Sequence, residues 1–326
     1  MSKKILYVAS STEHIDRFHR DYIDALRGLG HSVNVMASGV GADIDIPFEK
    51  KIFSLKNLKN IVKIRVVLRR DRYDAILLNT TLAAVLVRLA CPHRRPRIVN
   101  LVHGYLFSEN VSPRHSRIFF LAERLLRRKT DSIITMNEED FRSASEHRLC
   151  LGKVYKIPGM GAKIRTRVTN FENIRAEYAS EGSFVMCFVG ELSRRKNQEM
   201  LIRALPALCD ELPGVALWLV GDGAERKNLG ELSRELGVAD KVLFLGKRED
   251  ACDFMRAADL YVSAAGVEGL PHNVLEAMGI GKTVLASDIK GHRDLIENGV
   301  SGFLYRYNDI DDFVKSIVSQ KLRQYF

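Results

Sequence analysis

Short apolar runs alternate with helix-periodic segments along nearly the whole chain, and that alternation leaves few folds open. Strand patterns cover 4–10, 32–38, 74–79, 97–103, 131–136 and 153–157, then 184–190, 215–221, 241–246, 259–264 and 283–287. Between them, segments such as 16–29, 57–71, 81–91, 114–129, 196–209 and 224–236 carry apolar residues at helical spacing. Strand-helix alternation of this kind predicts parallel sheets covered by helices on both faces. At 326 residues the chain also exceeds the usual size of one core, so it is expected to form two domains. The pattern stalls between Gly159 and Ser183, read here as a linker and a short lead-in helix. The predicted division is 1–165 and 166–326, each part a doubly wound, Rossmann-like α/β domain with its ligand at the carboxyl ends of the strands.

Charge separates the two parts. Residues 1–160 hold 28 Lys/Arg against 16 Asp/Glu, a net of +12, and residues 161–326 hold 22 against 24, a net of −2. Nine basic residues fall between Lys50 and Arg72, with Lys56, Lys59, Lys63 and Arg70 along one helical face and Leu58, Ile61 and Val62 elsewhere. A second cluster runs through Arg114, Arg117, Arg124, Arg127, Arg128 and Lys129 beside Ile118, Phe119 and Phe120. Basic helices with an apolar flank suit an anionic membrane surface, so 50–72 and 114–129 are the expected contacts. Nucleic acid is not expected, since no recognised binding motif accompanies the charge. No apolar stretch is long enough to span a bilayer, and the apolar run after Met1 is too short for a signal peptide. The five scattered cysteines, with no Cys-x-x-Cys pair, read as reduced thiols. Together these predict a cytoplasmic protein held peripherally on the inner face of the plasma membrane.

Chemistry concentrates in Val267-Glu268-Gly269-Leu270-Pro271-His272-Asn273-Val274-Leu275-Glu276. A strand, a Gly-Leu-Pro turn and a helix start leave backbone N–H groups pointing one way, which makes an anion site. Glu268 precedes the helix and Glu276 lies more than a turn inside it. One carboxylate can flank a diphosphate while the other grips sugar hydroxyls, so a nucleoside-diphosphate sugar would use every group. Gly190-Glu191-Leu192-Ser193-Arg194-Arg195-Lys196 after another strand supplies cations for a departing diphosphate. Gly279-Ile280-Gly281-Lys282-Thr283 is not a phosphate loop, because Glu276 stands where its first glycine is required. No Asp-x-Asp set lies beside a strand end, so no metal is predicted at the diphosphate, and no cofactor.

The 267–279 segment resembles the glutamate-x7-glutamate motif of the family 4 retaining glycosyltransferases. Gly291-His292-Arg293-Asp294-Leu295-Ile296 and the Gly-Glu-Leu-Ser…Arg-Lys-Asn-Gln stretch resemble the branch that assembles bacterial capsule and exopolysaccharide. The resemblance implies the two-domain GT-B architecture, with an acceptor-binding first domain and a donor-binding second one. It further implies a retaining transferase using a UDP-sugar and a lipid-linked or oligosaccharide acceptor. Residue by residue, it points to His103, in a His-Gly after a strand, and to Glu268 and Lys196 as catalytic. Donor-binding residues would be Gly190, Arg194 or Arg195, Gly246, Lys247, Gly269, Leu270, Pro271 and Glu276. Glu191 stands where the family places an arginine, which leaves open whether Arg194 or Arg195 supplies the second cation. Ser10-Ser11-Thr12-Glu13-His14 departs from the family's Gly-Gly loop, so Glu13 and His14 are acceptor-side candidates only. Relatives continue further beyond the predicted Asp309–Gln324 helix. With Glu191, that departure keeps open a non-catalytic or truncated accessory subunit.

Overall fold

The computed structural model describes residues 2–49, 54–92, 96–107, 110–161, 171–212 and 214–319. The chain divides into two units between Met160 and Gly161. Strands of the first unit are β1 (Lys4–Ser11), β2 (Ser32–Ser38), β3 (Ile44–Asp45), β4 (Ala75–Leu78), β5 (Arg97–Val102), β6 (Ser132–Thr135) and β7 (Val154–Lys156). They form a parallel sheet in the order β3-β2-β1-β4-β5-β6-β7. The second unit contains β8 (Phe184–Val189), β9 (Val215–Val220), β10 (Val242–Gly246), β11 (Leu260–Ser263), β12 (Val284–Ser287) and β13 (Phe303–Tyr305). Its parallel sheet runs β10-β9-β8-β11-β12-β13. Both are doubly wound. In each sheet the winding reverses beside the first strand, between β1 and β4 and between β8 and β11, so the loops leaving those strands diverge.

The central strands are apolar throughout because both of their faces are covered. From β1, Ile5, Tyr7 and Ala9 pack with Ile15 and Ile23 of the Thr12–Phe18 and Arg20–Gly28 helices. Leu6 and Val8 point the other way, toward Ile64 and Leu68 of the Leu55–Asp71 helix and Ala83 and Val87 of the Thr81–Ala90 helix. β8 divides similarly, with Met186 and Phe188 in one core and Val185 and Cys187 in another.

Several elements differ from the sequence reading. The helix expected at 16–29 is two helices, Thr12–Phe18 and Arg20–Gly28, broken at the wholly buried His19. β3 and β13 are only two and three residues long, too short to carry a readable period. The last described helix is Ile310–Val318, capped by Asp309 and ended by extended Ser319, rather than reaching Gln324. Residues 320–326 lie outside the described ones.

The two basic helices have unusual faces. Leu55–Asp71 buries Asn57 and Asn60 and exposes Leu55, Leu58, Val62 and Val66. The asparagines are satisfied: Asn57 Nδ2 donates to the Glu49 carbonyl and Asn60 Nδ2 to the Pro47 carbonyl, each at 2.9 Å. The Pro113–Leu126 helix exposes Ile118, Leu121 and Leu125. It is held by Glu123, whose buried carboxylate accepts two hydrogen bonds from Arg88, at 2.6 and 2.8 Å. Arg88 belongs to the Thr81–Ala90 helix, which contacts both basic helices. Lys50 and Lys51 of the predicted basic segment lie outside the described residues.

Candidate functional site

In the second unit, two loops meet at the point where the winding reverses. One leaves β8 through Gly190 and turns into the Gln198–Glu211 helix; the other leaves β11 and enters the His272–Gly279 helix. Gly266 N–H donates to the Arg195 carbonyl at 3.0 Å, joining them. Across the join, the Arg195 guanidinium donates to Glu268 Oε1 at 2.8 Å and to the Val267 carbonyl at 3.1 Å. Lys196 Nζ reaches the same Glu268 oxygen at 2.6 Å. Lys196 and Glu268 are only 8% and 9% exposed, so this ion pair is largely shielded from water. Burial alone would raise the Glu268 pKa, but Lys196 and Arg195 outweigh it and hold the carboxyl below its usual range.

Neighbouring groups fix these loops. Gln198 Nε2 donates to the Glu191 carbonyl at 2.8 Å, and its Oε1 accepts from Ser193 N–H at 3.3 Å. Asn273 Nδ2, in the first turn of the His272–Gly279 helix, donates to the Val189 carbonyl at 2.8 Å. Gly291 has φ +83°, and a Cβ there would lie 2.9 Å from the Gly269 carbonyl oxygen and 3.0 Å from that of Glu268. Only glycine allows this close approach. The next residue, His292, is wholly buried, 3.2 Å from Ser263 Oγ and 3.3 Å from Ser287 Oγ. Desolvation pushes its pKa down to about 4 despite the pull of Glu268.

The structure brings some sequence-predicted residues together and leaves others apart. Arg195 joins Lys196 at Glu268, whereas Arg194 is 89% exposed and lies 3.4 Å from Glu225. Glu191 is exposed. Gly190 and Gly246 end adjacent regions of the sheet: Gly190 N–H donates to Val220 O at 2.9 Å, and Gly221 N–H to Gly246 O at 2.7 Å. A Cβ on Gly221 would overlap the Gly190 carbonyl, so these turns are packed backbone on backbone. Lys247 is exposed just beyond. Gly269 and Leu270 are buried beneath the turn, and Pro271 caps the helix in which Glu276 sits half-buried. Sequence reasoning missed Gln198, Asn273 and His292 as site-forming residues. His292 was legible only as part of a motif, with nothing in its spacing to show that it lies under Glu268.

In the first unit, His103 follows β5 and lies against His14, their ring centroids 5.1 Å apart. His14 N–H donates to Ser11 Oγ at 3.3 Å at the start of the Thr12–Phe18 helix. His19, which the sequence did not single out, completes a trio, its ring 5.0 Å from each of the other two. Glu13 is exposed and outside this trio.

The family described as Glycosyltransferase Family 4 matches residues 16–159, and that described as Glycosyl transferases group 1 matches residues 170–320. EpsD of Bacillus subtilis (strain 168), which carries a glycosyltransferase name, is 30% identical over 97% of this chain and 87% of its own. The chain belongs to the family 4 glycosyltransferases. This transferase is also 24% identical to an Escherichia coli protein named UDP-Gal:alpha-D-GlcNAc-diphosphoundecaprenol alpha-1,3-galactosyltransferase, over 82% of this chain and 72% of that one. Among solved structures, HepE of Anabaena in complex with UDP aligns with a TM-score of 0.72 at 24% identity, over 99% of this chain and 92% of its own. Sucrose-phosphate synthase of Thermosynechococcus elongatus aligns with a TM-score of 0.78 at 16% identity, over 99% and 94%. The two parallel-sheet units are those of the GT-B fold.

Proposed function

We propose that this transferase moves a sugar, with retention at the anomeric carbon, from a UDP-sugar to a lipid-linked or polysaccharide acceptor in cell-surface polysaccharide synthesis. The observation that carries the reading is the shielded Glu268–Lys196 pair, joined by the exposed Arg195, at the reversal of the second sheet. When the bond between the anomeric carbon and the diphosphate oxygen breaks, the bonding pair leaves with the diphosphate, and the acceptor oxygen bonds to that carbon and passes its proton to the departing diphosphate oxygen. Lys196 and Arg195 stabilise the charge that develops, and Glu268 keeps both cations in place beforehand. These cations stand in for a divalent metal at the diphosphate. Gly190, Gly269, Leu270 and Pro271 shape the backbone around it, Gly246 and Lys247 flank the base, Glu276 accepts ribose hydroxyls, and His103 approaches the transferred sugar. Arg194 is assigned no diphosphate contact.

The UDP named with HepE and in the E. coli relative supports the choice of base, and the diphosphoundecaprenol in the latter's name supports a lipid-linked acceptor. No helix among the described residues is long and apolar enough to cross a membrane. The acceptor would instead be met at an anionic surface, bound by the Leu55–Asp71 and Pro113–Leu126 helices through their exposed apolar stripes and flanking basic residues. That surface would be the inner face of the plasma membrane.

The deciding experiment offers a panel of UDP-sugars with an undecaprenyl-diphosphate sugar acceptor, in excess EDTA. Transfer with the donor's anomeric configuration preserved is expected. An inverted product would overturn retention, and activity lost to EDTA and restored by magnesium or manganese would overturn the cation assignment. In calorimetry, Glu276→Ala should weaken UDP binding about ten- to a hundredfold, the worth of a charge-assisted hydrogen bond of roughly 1.5–3 kcal/mol. Unchanged affinity would remove Glu276 from the site.

A further inference from the structure

The histidine trio of the first unit has a geometry that sugar contact by one of its members does not require. His19 occupies the break between two helices, wholly buried, with its Nδ1 2.9 Å from the Tyr7 hydroxyl. That contact fixes the ring and turns Nε2 toward His14, whose own Nε2 is 3.2 Å away. His103 lies edge-on to both rings, with interplanar angles of 79° and 87°. One donor nitrogen from each of the three side chains lies within 4.8 Å of the others.

We propose that His14, His19 and His103 bind a zinc ion through three neutral imidazoles, with a fourth coordination position open. Zinc takes histidine nitrogens at about 2.0–2.1 Å in tetrahedral geometry, which sets neighbouring ligand atoms about 3.3 Å apart. The His14–His19 spacing already meets that requirement. Rotation of His103 and His14 about their side-chain bonds closes the remainder, at most about 1.5 Å against the same geometry. Tyr7 supplies the outer contact that metal-bound histidines need, its hydroxyl oxygen accepting a hydrogen bond from Nδ1–H and leaving Nε2 for the ion.

The donor set also selects the metal. All three ligands are imidazoles and none is a carboxylate, which suits zinc and its neighbours and not magnesium or calcium. Three protein ligands and one open position is the pattern of zinc sites that admit water or a substrate oxygen, unlike closed structural sites. The inference does not depend on the charge arrangement at Lys196; it shares His103 with the sugar contact proposed above, so its readouts are of bound metal and not of transfer.

The test uses the untagged full chain, stripped of metal and titrated with zinc against a chromophoric chelator, with cobalt(II) as the spectroscopic probe. One zinc per chain is expected, together with the visible absorption of a low-coordinate cobalt(II) site, and magnesium should not compete. His19→Gln and His14→Gln should each remove the cobalt band. Tyr7→Phe keeps all three ligands and should weaken zinc about tenfold. Circular dichroism checks that each variant folds, and Tyr7→Phe provides a reading if a histidine variant does not. No stoichiometric zinc in the parent chain, or zinc retained unchanged by all three variants, would overturn the proposal. The trio would then be a hydrogen-bonded cluster sharing a proton between His14 and His19.

Discussion

At the scale of single residues, Lys196 and His292 make opposite demands on the same small volume. Lys196 is kept in a shielded place by Glu268, and under the proposed mechanism its attraction for a leaving diphosphate grows as the bond to the sugar breaks. Lys196→Ala is therefore expected to lower kcat more than it raises KM in steady-state assays. Equal effects on both would mean that it only binds the ground state. His292 must stay neutral to remain buried. Its folded pKa is about 4, against an ordinary value of 6.5, so between those values the unfolded chain holds a proton that the folded chain does not. Stability then falls as pH falls, beginning near 6.5 and ending near 4. By this residue alone, unfolding free energy is expected to drop by about 2 kcal/mol between pH 7 and pH 5. Urea titrations at both pH values should show the drop, and His292→Gln should abolish it. Glu268 does not confuse the measurement. Its lowered pKa confers stability above the ordinary carboxyl range, which is lost only as pH falls through the folded value. Glu268 and Lys196 were legible as candidates because their motifs are local in sequence, and the structure brings the two together. The burial of His292 depends on β11 and β12 lying side by side, a contact across the sheet that no local pattern encodes.

Among the elements, the strands and both basic helices lie close to their expected bounds, and the helix expected at 16–29, which is two, departs most. Runs such as β8 and β9 are apolar on both faces, so they stand out whatever packs on them. The Leu55–Asp71 helix departs from the usual rule in part: loop carbonyls at Pro47 and Glu49 satisfy two buried asparagines, and Leu55 and Leu58 are left outside while Ile64 and Leu68 face the core. A sequence pattern assigns asparagines to water and so misplaces Asn57 and Asn60, while it places Ile64 and Leu68 correctly. The exposed stripe predicts that the helix binds vesicles rich in anionic lipid and lets go as salt rises. Replacing Lys56, Lys59, Lys63 and Arg70 together by glutamine should remove most of that binding, at roughly 1 kcal/mol per charge near the surface. Equal cosedimentation with neutral and anionic vesicles would refute it. Lys56 and Arg70 each already pair with a carboxylate, Glu49 and Asp71, at 2.8 Å, so their share should be the smaller. The second basic helix depends on a buried ion pair. Glu123→Ala would leave Arg88 charged and fully buried, and is expected to cost about 3–5 kcal/mol in thermal or urea unfolding. A loss below about 1 kcal/mol would mean that water reaches Arg88 once the carboxylate is gone.

For the whole molecule, strand-helix alternation was enough to anticipate two doubly wound sheets, because each crossover must be covered and only parallel sheets permit that arrangement. It was silent on β3 and β13, whose two and three residues pair only because a neighbouring strand is already in place. Each sheet is built from one continuous stretch of chain, β1–β7 from residues before 160 and β8–β13 from residues after 180. Neither therefore waits on a strand from the other. During synthesis at roughly 5–20 residues per second, the first unit would emerge complete on the order of ten seconds or more before the last strand of the second is made. Parallel strands are slow to pair, and their unpaired edges invite aggregation. That interval gives the basic first unit time to close its sheet while the second unit is still being translated.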